Sequence, residues 1–144
     1  MPLNKEYEGR EFPATDPFEV TRESIEEFAD AIGDPNPAFR GDNAIAPPTY
    51  LTKLNFIYGP QVLGDPGLGL NYAFVVHGEQ EYEHTRPVKV GDRLIAKPRI
   101  GAITARGRNE FMITEAIVET DAGERVAVAR STVVSRGTAA QEGE

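Results

Sequence analysis

The order of its periodic segments predicts an α+β fold, with an antiparallel sheet wrapped round a central helix. Two segments with helical spacing of apolar residues come first, and β-rich segments follow the turn-forming stretch 64–70, GDPGLGL. The second helix is widely apolar, so it needs the sheet to cover it. With 144 residues and no Gly/Ser-rich linker, the chain has the size of one domain, which we place at residues 1–136.

The first helix is predicted over residues 22–33, RESIEEFADAIG, after an extended lead-in. Thr21 can cap its N terminus, and Glu23 lies near the positive end of the helix dipole. Gly33 closes the helix. The apolar residues fall at helical spacing, at Ile25, Phe28, Ala29 and Ile32.

The second helix is predicted within residues 49–63, TYLTKLNFIYGPQVL, directly after Pro47 and Pro48. Its Gly59-Pro60 step is expected to bend or end the regular part. One apolar stripe is wide enough to make this helix central, and it consists of Leu51, Leu54, Tyr58 and Val62.

Four segments rich in β-forming residues follow, and short turns of the types KVGD, GRN and DAGE separate them. The last three are predicted to form an antiparallel meander. Residues 137–144, GTAAQEGE, form a polar tail that has nothing to bury and is predicted to be flexible. The four strand segments are 72–88, 92–107, 110–121 and 124–136.

The composition excludes several classes of function. The formal net charge of -8 repels nucleic acids and anionic membranes, and the chain has no cysteine for thiolate or disulfide chemistry. The N terminus lacks an apolar run, and no segment approaches the roughly 20 apolar residues that cross a bilayer. The stretch 64–70 lacks the Lys-Ser/Thr of a phosphate loop. We therefore expect a cytoplasmic protein with no cofactor and no nucleic-acid or membrane partner.

The two histidines are not expected to bind a metal together. His77 and His84 lie seven residues apart on one predicted strand, which places their side chains on opposite faces. The acidic residues Glu79, Glu81 and Glu83 alternate onto one face, which is typical of a solvated sheet surface. We accordingly predict no metal site.

The polar loop between the helices has two interpretations. Asp34 and Asn36 are the candidate catalytic residues if this loop takes part in chemistry. Asp-Pro and Asn-Pro steps are also common loop starters whose side chains bond their own backbone. The residues of the loop do not decide between these interpretations.

Three segments together resemble a known family. They are FADAIGDPNPAF (28–39), IAPPTYL (45–51) and RPVKVGDRL (86–94), and they are similar to MaoC-like hydratases and dehydratases of the hot-dog fold. The segments TDPFEV (15–20) and VVHGEQ (75–80) resemble the non-catalytic subunits of actinobacterial (3R)-hydroxyacyl-ACP dehydratases. The resemblance implies a hot-dog subunit, paired with another, that acts on a (3R)-3-hydroxyacyl or trans-2-enoyl thioester.

The chain departs from the catalytic pattern of that family at two places. Catalytic members read Gly-Asp-x-Asn-Pro-x-His in the loop, whereas Phe39 stands at the histidine position here. They also carry Ala-His-Gly-Met at the start of the central helix, where a backbone N–H binds the thioester oxygen. Pro47 and Pro48 remove donors at that position. Four residues are expected to contact substrate, namely Phe39, Thr49, His77 and Gly78, the last because a glycine in a strand often marks a bulge or a close approach.

Three hypotheses for function follow from the resemblance. The leading one is a scaffold or acyl-binding subunit that forms a heterodimer with a catalytic MaoC-like partner and is catalytically deficient alone. The second is a self-sufficient homodimeric enoyl thioester hydratase that uses Asp34 with another group such as His77. The third is a non-enzymatic hot-dog protein that binds acyl-CoA or acyl-ACP thioesters.

Overall fold

The structure, a computed structural model, describes residues 1–141, in which two α-helices lie with one five-stranded antiparallel sheet. The strand order is β1-β3-β4-β5-β2. The predicted α+β fold is confirmed. The helices are α1 (Arg22–Ala31) and α2 (Thr52–Leu63), and the strands are β1 (Phe18–Glu19), β2 (Val75–His84), β3 (Arg93–Arg106), β4 (Asn109–Thr120) and β5 (Arg125–Ser135).

Strands β3, β4 and β5 form the predicted meander. Strands β1 and β2 complete the sheet at its two edges. Strand β2 pairs antiparallel with β5, so it lies at one edge although it precedes the meander in sequence. The short strand β1 covers the opposite edge by pairing with β3 at Phe18 and Leu94. The sequence indicated only an extended lead-in there.

Helix α2 packs against the inner face of the sheet, as its apolar stripe predicts. Leu54, Tyr58 and Val62 are all buried. The helix runs past Pro60 to Leu63, so the Gly59-Pro60 step does not end it. Proline has no N–H to donate to the preceding turn, yet the helix continues and Val62, two residues later, is buried in the core.

The outer face of the sheet carries cross-strand ion pairs. Arg130 on β5 contacts Glu115 on β4 at 2.9 Å, and Glu81 and Glu83 on β2 at 3.3 and 3.2 Å. The prediction that the acidic residues of β2 share a solvated face is therefore confirmed for these two glutamates.

A bulge in β2 overturns the prediction that the two histidines face opposite ways. His77 pairs with Val133 of β5 and His84 pairs with Ala127, while the register shifts between His77 and Glu79. Because Val133 and Ala127 are separated by an even number of residues, they share a face, and so do their partners. The bulge at Gly78 absorbs one residue and turns both imidazoles to the inner face.

The C-terminal segment packs further than its composition indicates. Thr138 and Ala139 are buried, and the Thr138 hydroxyl donates to the buried Glu110 carboxylate at 2.7 Å. The same carboxylate accepts the Leu3 N–H at 2.9 Å. The prediction that residues 137–144 bury nothing was therefore wrong at its start, because Glu110 joins both ends of the chain. Residues 142–144 of that tail lie outside the described residues.

No helix within residues 1–141 is long and apolar enough to cross a membrane.

Candidate functional site

The loop after α1 uses its polar side chains to build its own turns. Gly33 takes the left-handed conformation at φ 70°, which ends the helix and starts the loop. The Asp34 carboxylate accepts the Asn36 N–H at 2.9 Å, and the Asn36 side-chain oxygen accepts the Ala38 N–H at 3.0 Å. The side-chain oxygens of Asp34 and Asn36 therefore stabilise two consecutive turns of the loop, which agrees with the structural interpretation of Asp-Pro and Asn-Pro steps.

These turns form one wall of an open cleft of about 530 Å³, which we call the loop cleft. The opposite wall comes from the end of β2 and the segment that follows it. The loop cleft brings together Asn36 and Phe39 from the loop, Ala46 and Pro48 from the segment before α2, and His84 with Arg86 and Pro87 from the far side.

A buried ion pair holds the far wall of the loop cleft. Arg86 donates to both oxygens of the buried Asp92 carboxylate, at 2.8 and 3.0 Å, and the Lys89 N–H donates to the same carboxylate at 2.9 Å. Burial alone would raise the pKa of Asp92, but the hydrogen bonds from Arg86 and Lys89 outweigh it and hold that pKa below its ordinary value. The segment RPVKVGD is thus a rigid turn, and the Ala46 N–H donates to Val88 O at 2.7 Å to fix the two walls together.

The start of α2 offers few free donors to the loop cleft. Pro47 and Pro48 have no N–H. The N–H groups of Tyr50 and Thr52 donate to the carbonyl groups of Pro47 and Thr49, at 2.9 and 3.0 Å. The turn before the helix therefore uses these N–H groups in its own hydrogen bonds, so they are not available to a ligand.

A second cavity of about 310 Å³ lies between α2 and the inner face of the sheet, and we call it the helix cavity. Its walls are largely apolar, with Phe56, Val62 and Leu63 from the helix and Val133 from β5. A narrow apolar space of this kind suits an extended hydrocarbon chain. His77 also lines the helix cavity, with its Nε2 atom 2.8 Å from the Glu79 carbonyl oxygen across the bulge.

A partly buried polar network lies beside the helix cavity, near the N terminus of α2. The hydroxyl groups of Thr52 and Tyr82 are hydrogen-bonded to each other and link the helix to β2. One turn along, Asn55 donates to the Gln80 side chain at 3.1 Å, and Ser131 donates to the same oxygen at 2.6 Å. Burial raises the pKa of the nearby Tyr58 phenol, which therefore stays protonated.

The structure brings some of the candidate residues together and separates others. Asn36 and Phe39 line the loop cleft, whereas His77 lines the helix cavity. Asp34 is half-buried and Thr49 is exposed, and neither lines either space, so a direct role for them stays a prediction.

Gly78 serves close packing between strands. A Cβ atom added there would lie 3.1 Å from a methyl group of Val134, which leaves no room for a larger residue without movement. The glycine lies at the register shift directly after His77, so its effect on the helix cavity is indirect. Contact of Gly78 with substrate stays a prediction.

His84 lines the loop cleft, although from the sequence it was considered only as a metal ligand. Its position opposite Asn36 and Phe39 depends on the one-residue shift at Gly78, which the glycine within a β-rich segment could have signalled. No cluster of three or more acidic or histidine side chains that could hold a metal ion occurs within the described residues.

Comparison with known proteins identifies relatives over nearly the whole chain. The family model described as "FAS1-like, dehydratase domain region" matches residues 6–129. A UPF0336 protein of Streptomyces avermitilis is 43% identical over 152 residues, which covers 99% of this chain and 100% of the relative.

Two solved structures are similar in fold. One is the HadBC (3R-hydroxyacyl-ACP dehydratase) complex from Mycobacterium tuberculosis, with a TM-score of 0.76, 27% identity and coverage of 89% of this chain and 96% of that one. The other is a MaoC-like dehydratase with a TM-score of 0.85 and 22% identity, where 94% of this chain matches 43% of a longer chain. At that identity the second likeness shows the fold alone.

Proposed function

The chain belongs to the family of the FAS1-like dehydratase domain region, with the MaoC-like hot-dog fold, and from this premise we propose that it is the acyl-binding scaffold subunit of a heterodimeric dehydratase. Its reaction class is the dehydration of a (3R)-3-hydroxyacyl thioester to a trans-2-enoyl thioester, or the reverse hydration. The catalytic acid and base come from a MaoC-like partner. The carrier is coenzyme A or acyl carrier protein.

The observation that carries this proposal is how the side chains of the loop beside the loop cleft are used. Phe39 presents a side chain without a transferable proton where catalytic relatives have histidine, and it lies buried against the loop. Asp34 and Asn36 use their acceptor oxygens inside the loop. General acid–base catalysis needs a group that can exchange a proton with the substrate within hydrogen-bond reach, and the use of these oxygens inside the loop supports a non-catalytic role.

The helix cavity supports a retained role in holding the acyl chain. Its apolar walls can take up hydrocarbon without leaving a polar group unsatisfied, because the polar groups around it bond one another. Burial of each methylene contributes about 0.8 kcal/mol to binding. A subunit that lacks the catalytic pair can therefore still contribute affinity and selectivity for the acyl chain.

The free edge of the sheet supports pairing with a second hot-dog subunit. Strand β2 pairs only with β5 among the described residues, so its other edge has unpaired backbone groups. Large apolar side chains beside this edge are exposed, including Tyr72 at 57%, Phe74 at 45% and Val76 at 41%. An unpaired edge beside exposed apolar side chains suits antiparallel pairing with a similar strand. The HadBC relative is itself a complex.

Co-expression with a MaoC-like protein that is encoded by a neighbouring gene tests the proposal. The chain alone should hydrate a short trans-2-enoyl thioester hardly above background, and the copurified complex should be active. Val76→Arg on the edge strand should prevent assembly, whereas Ile113→Arg should not, since Ile113 is similarly exposed at 38% but lies on the central strand β4.

A self-sufficient enzyme would behave differently. Turnover by the chain alone that Asp34→Asn removes by about 10²- to 10⁴-fold, with the fold intact, would replace the scaffold proposal with a homodimeric hydratase. An assembled but inactive complex that still binds thioester would instead favour a non-enzymatic binding protein.

A further inference from the structure

The loop cleft contains an imidazole that the proposed function does not use. His84 ends strand β2 on its inner face and lines the cleft opposite the loop. Neither of its ring nitrogens has a hydrogen-bond partner within residues 1–141, although the Tyr82 ring lies 6.2 Å away. The other histidine, His77, is bonded to a backbone carbonyl in the helix cavity. His84 therefore has both nitrogens available to a ligand.

The charges around this imidazole are already paired. Arg86 is the charged neighbour that lines the cleft, and it is engaged by Asp92 and by Glu124, each at 2.8 Å. Glu83, next in sequence, points to the outer face and pairs with Arg130. Partial burial holds the pKa of His84 below its ordinary value and so favours the neutral ring, which carries one N–H donor.

The remaining walls of the loop cleft favour an uncharged ligand. Phe39, Ile45 and Pro48 give apolar contact, and no unpaired cation is present among the lining residues to hold a phosphate. The segment before α2 is where catalytic relatives present a backbone donor to the thioester oxygen, and proline replaces that donor here. The segment before α2 thus lacks the donors that Pro47 and Pro48 remove, and His84 holds a side-chain donor in the same cleft.

We propose that His84 is the hydrogen-bond donor of a thioester-binding site in the loop cleft, and that its imidazole N–H binds the carbonyl oxygen of the bound acyl thioester. This role rests on the proposed function for the class of ligand, but it does not depend on whether a catalytic partner exists. His84 acts as a binding residue and takes over the contact that Pro47 and Pro48 remove. The hydrogen bond forms between a neutral donor and a polarised oxygen, so it selects a carbonyl over a thioether.

The small number of histidines makes the test direct. Imidazole signals of the full chain are followed by NMR during titration with acetyl-pantetheine, whose acyl group is too short to reach His77, about 20 Å along the strand from His84. The His84 signals should shift to saturation, and the His77 signals should stay in place. Saturable binding with His84 unmoved, or the absence of binding, would overturn the proposal.

A carbonyl-free probe separates the hydrogen bond from general packing. Wild-type chain should bind acetyl-pantetheine about 5- to 10-fold more tightly than S-ethyl pantetheine, which lacks the oxygen. His84→Phe should bind the two probes equally, while His77→Phe should keep the wild-type preference. A preference that survives in His84→Phe with unchanged melting temperature would contradict the assignment. An active heterodimer together with such a result would defeat this proposal and leave the scaffold function standing.

Discussion

Replacing Asp92 by asparagine should destabilise the protein more than replacing Glu124, the exposed carboxylate that also contacts Arg86. The Asp92 side chain is 7% exposed and receives two hydrogen bonds from Arg86 and one from the Lys89 N–H. Asparagine has the same shape, but its amide NH₂ would face the Arg86 donors and the charge would be lost. Removing one partner of a buried pair costs about 3–5 kcal/mol, and the partial exposure of Arg86 reduces this to about 2–3 kcal/mol.

Glu124→Gln is the matched control, because it alters the other carboxylate that contacts Arg86. Glu124 is 53% exposed, so its loss should cost less than about 1 kcal/mol. Urea denaturation followed by circular dichroism measures both variants against the wild type. Equal destabilisation by Asp92→Asn and Glu124→Gln would refute the reasoning, because burial would then not determine the strength of the pair.

The pH dependence of stability gives a second check on Asp92. A carboxyl whose pKa is lowered in the folded state stabilises the protein above its unfolded pKa of about 3.9, and that contribution is lost as the pH falls through the folded value. The difference in unfolding free energy between wild type and Asp92→Asn should therefore be constant near neutrality and shrink below about pH 4. A difference that grows on acidification would contradict the sign of the shift.

Three further changes test other parts of the structure. Gly67→Ala places a Cβ atom 2.0 Å from the Tyr7 hydroxyl, so the ring must move, and calorimetry should show a loss of about 1–3 kcal/mol; an unchanged melting temperature would show that the contact is loose. Glu110→Ala removes the acceptor of the buried Leu3 N–H and should speed protease cleavage of the N-terminal segment, with a loss of about 1–3 kcal/mol; unchanged cleavage would show that Glu110 does not hold the segment. Phe39→His in the chain alone should not restore full hydratase activity, because the backbone donors before α2 are still missing; full turnover in an enoyl thioester assay would contradict this.

Local sequence determines the elements of this protein because their signals are short-range. The side chain of Thr21 accepts the Ser24 N–H at 3.1 Å, as a helix cap at that position predicts. The apolar stripe of α2 is buried, and the meander forms between the predicted turns. Spacing and turn chemistry depend on neighbours within a few residues, so the chain alone specifies them.

The candidate site depends on contacts between distant parts of the chain. The loop residues Asp34 and Asn36 were found from the sequence, yet only the structure shows that their oxygens are used in turns. The register shift at Gly78 reverses the face of every later residue in β2, and this brings His84 to the loop cleft while His77 stays in the helix cavity.

The sequence by itself determined the two helices, the four long strands, the family and the missing histidine at position 39, because residue identity and spacing specify each of them. The tertiary structure alone decided which side chains share a cavity. It also decided that Thr138 is buried, because its hydroxyl donates to the carboxylate of Glu110, which lies 28 residues earlier in the chain. Long-range pairing sets those positions, and no local periodicity encodes it.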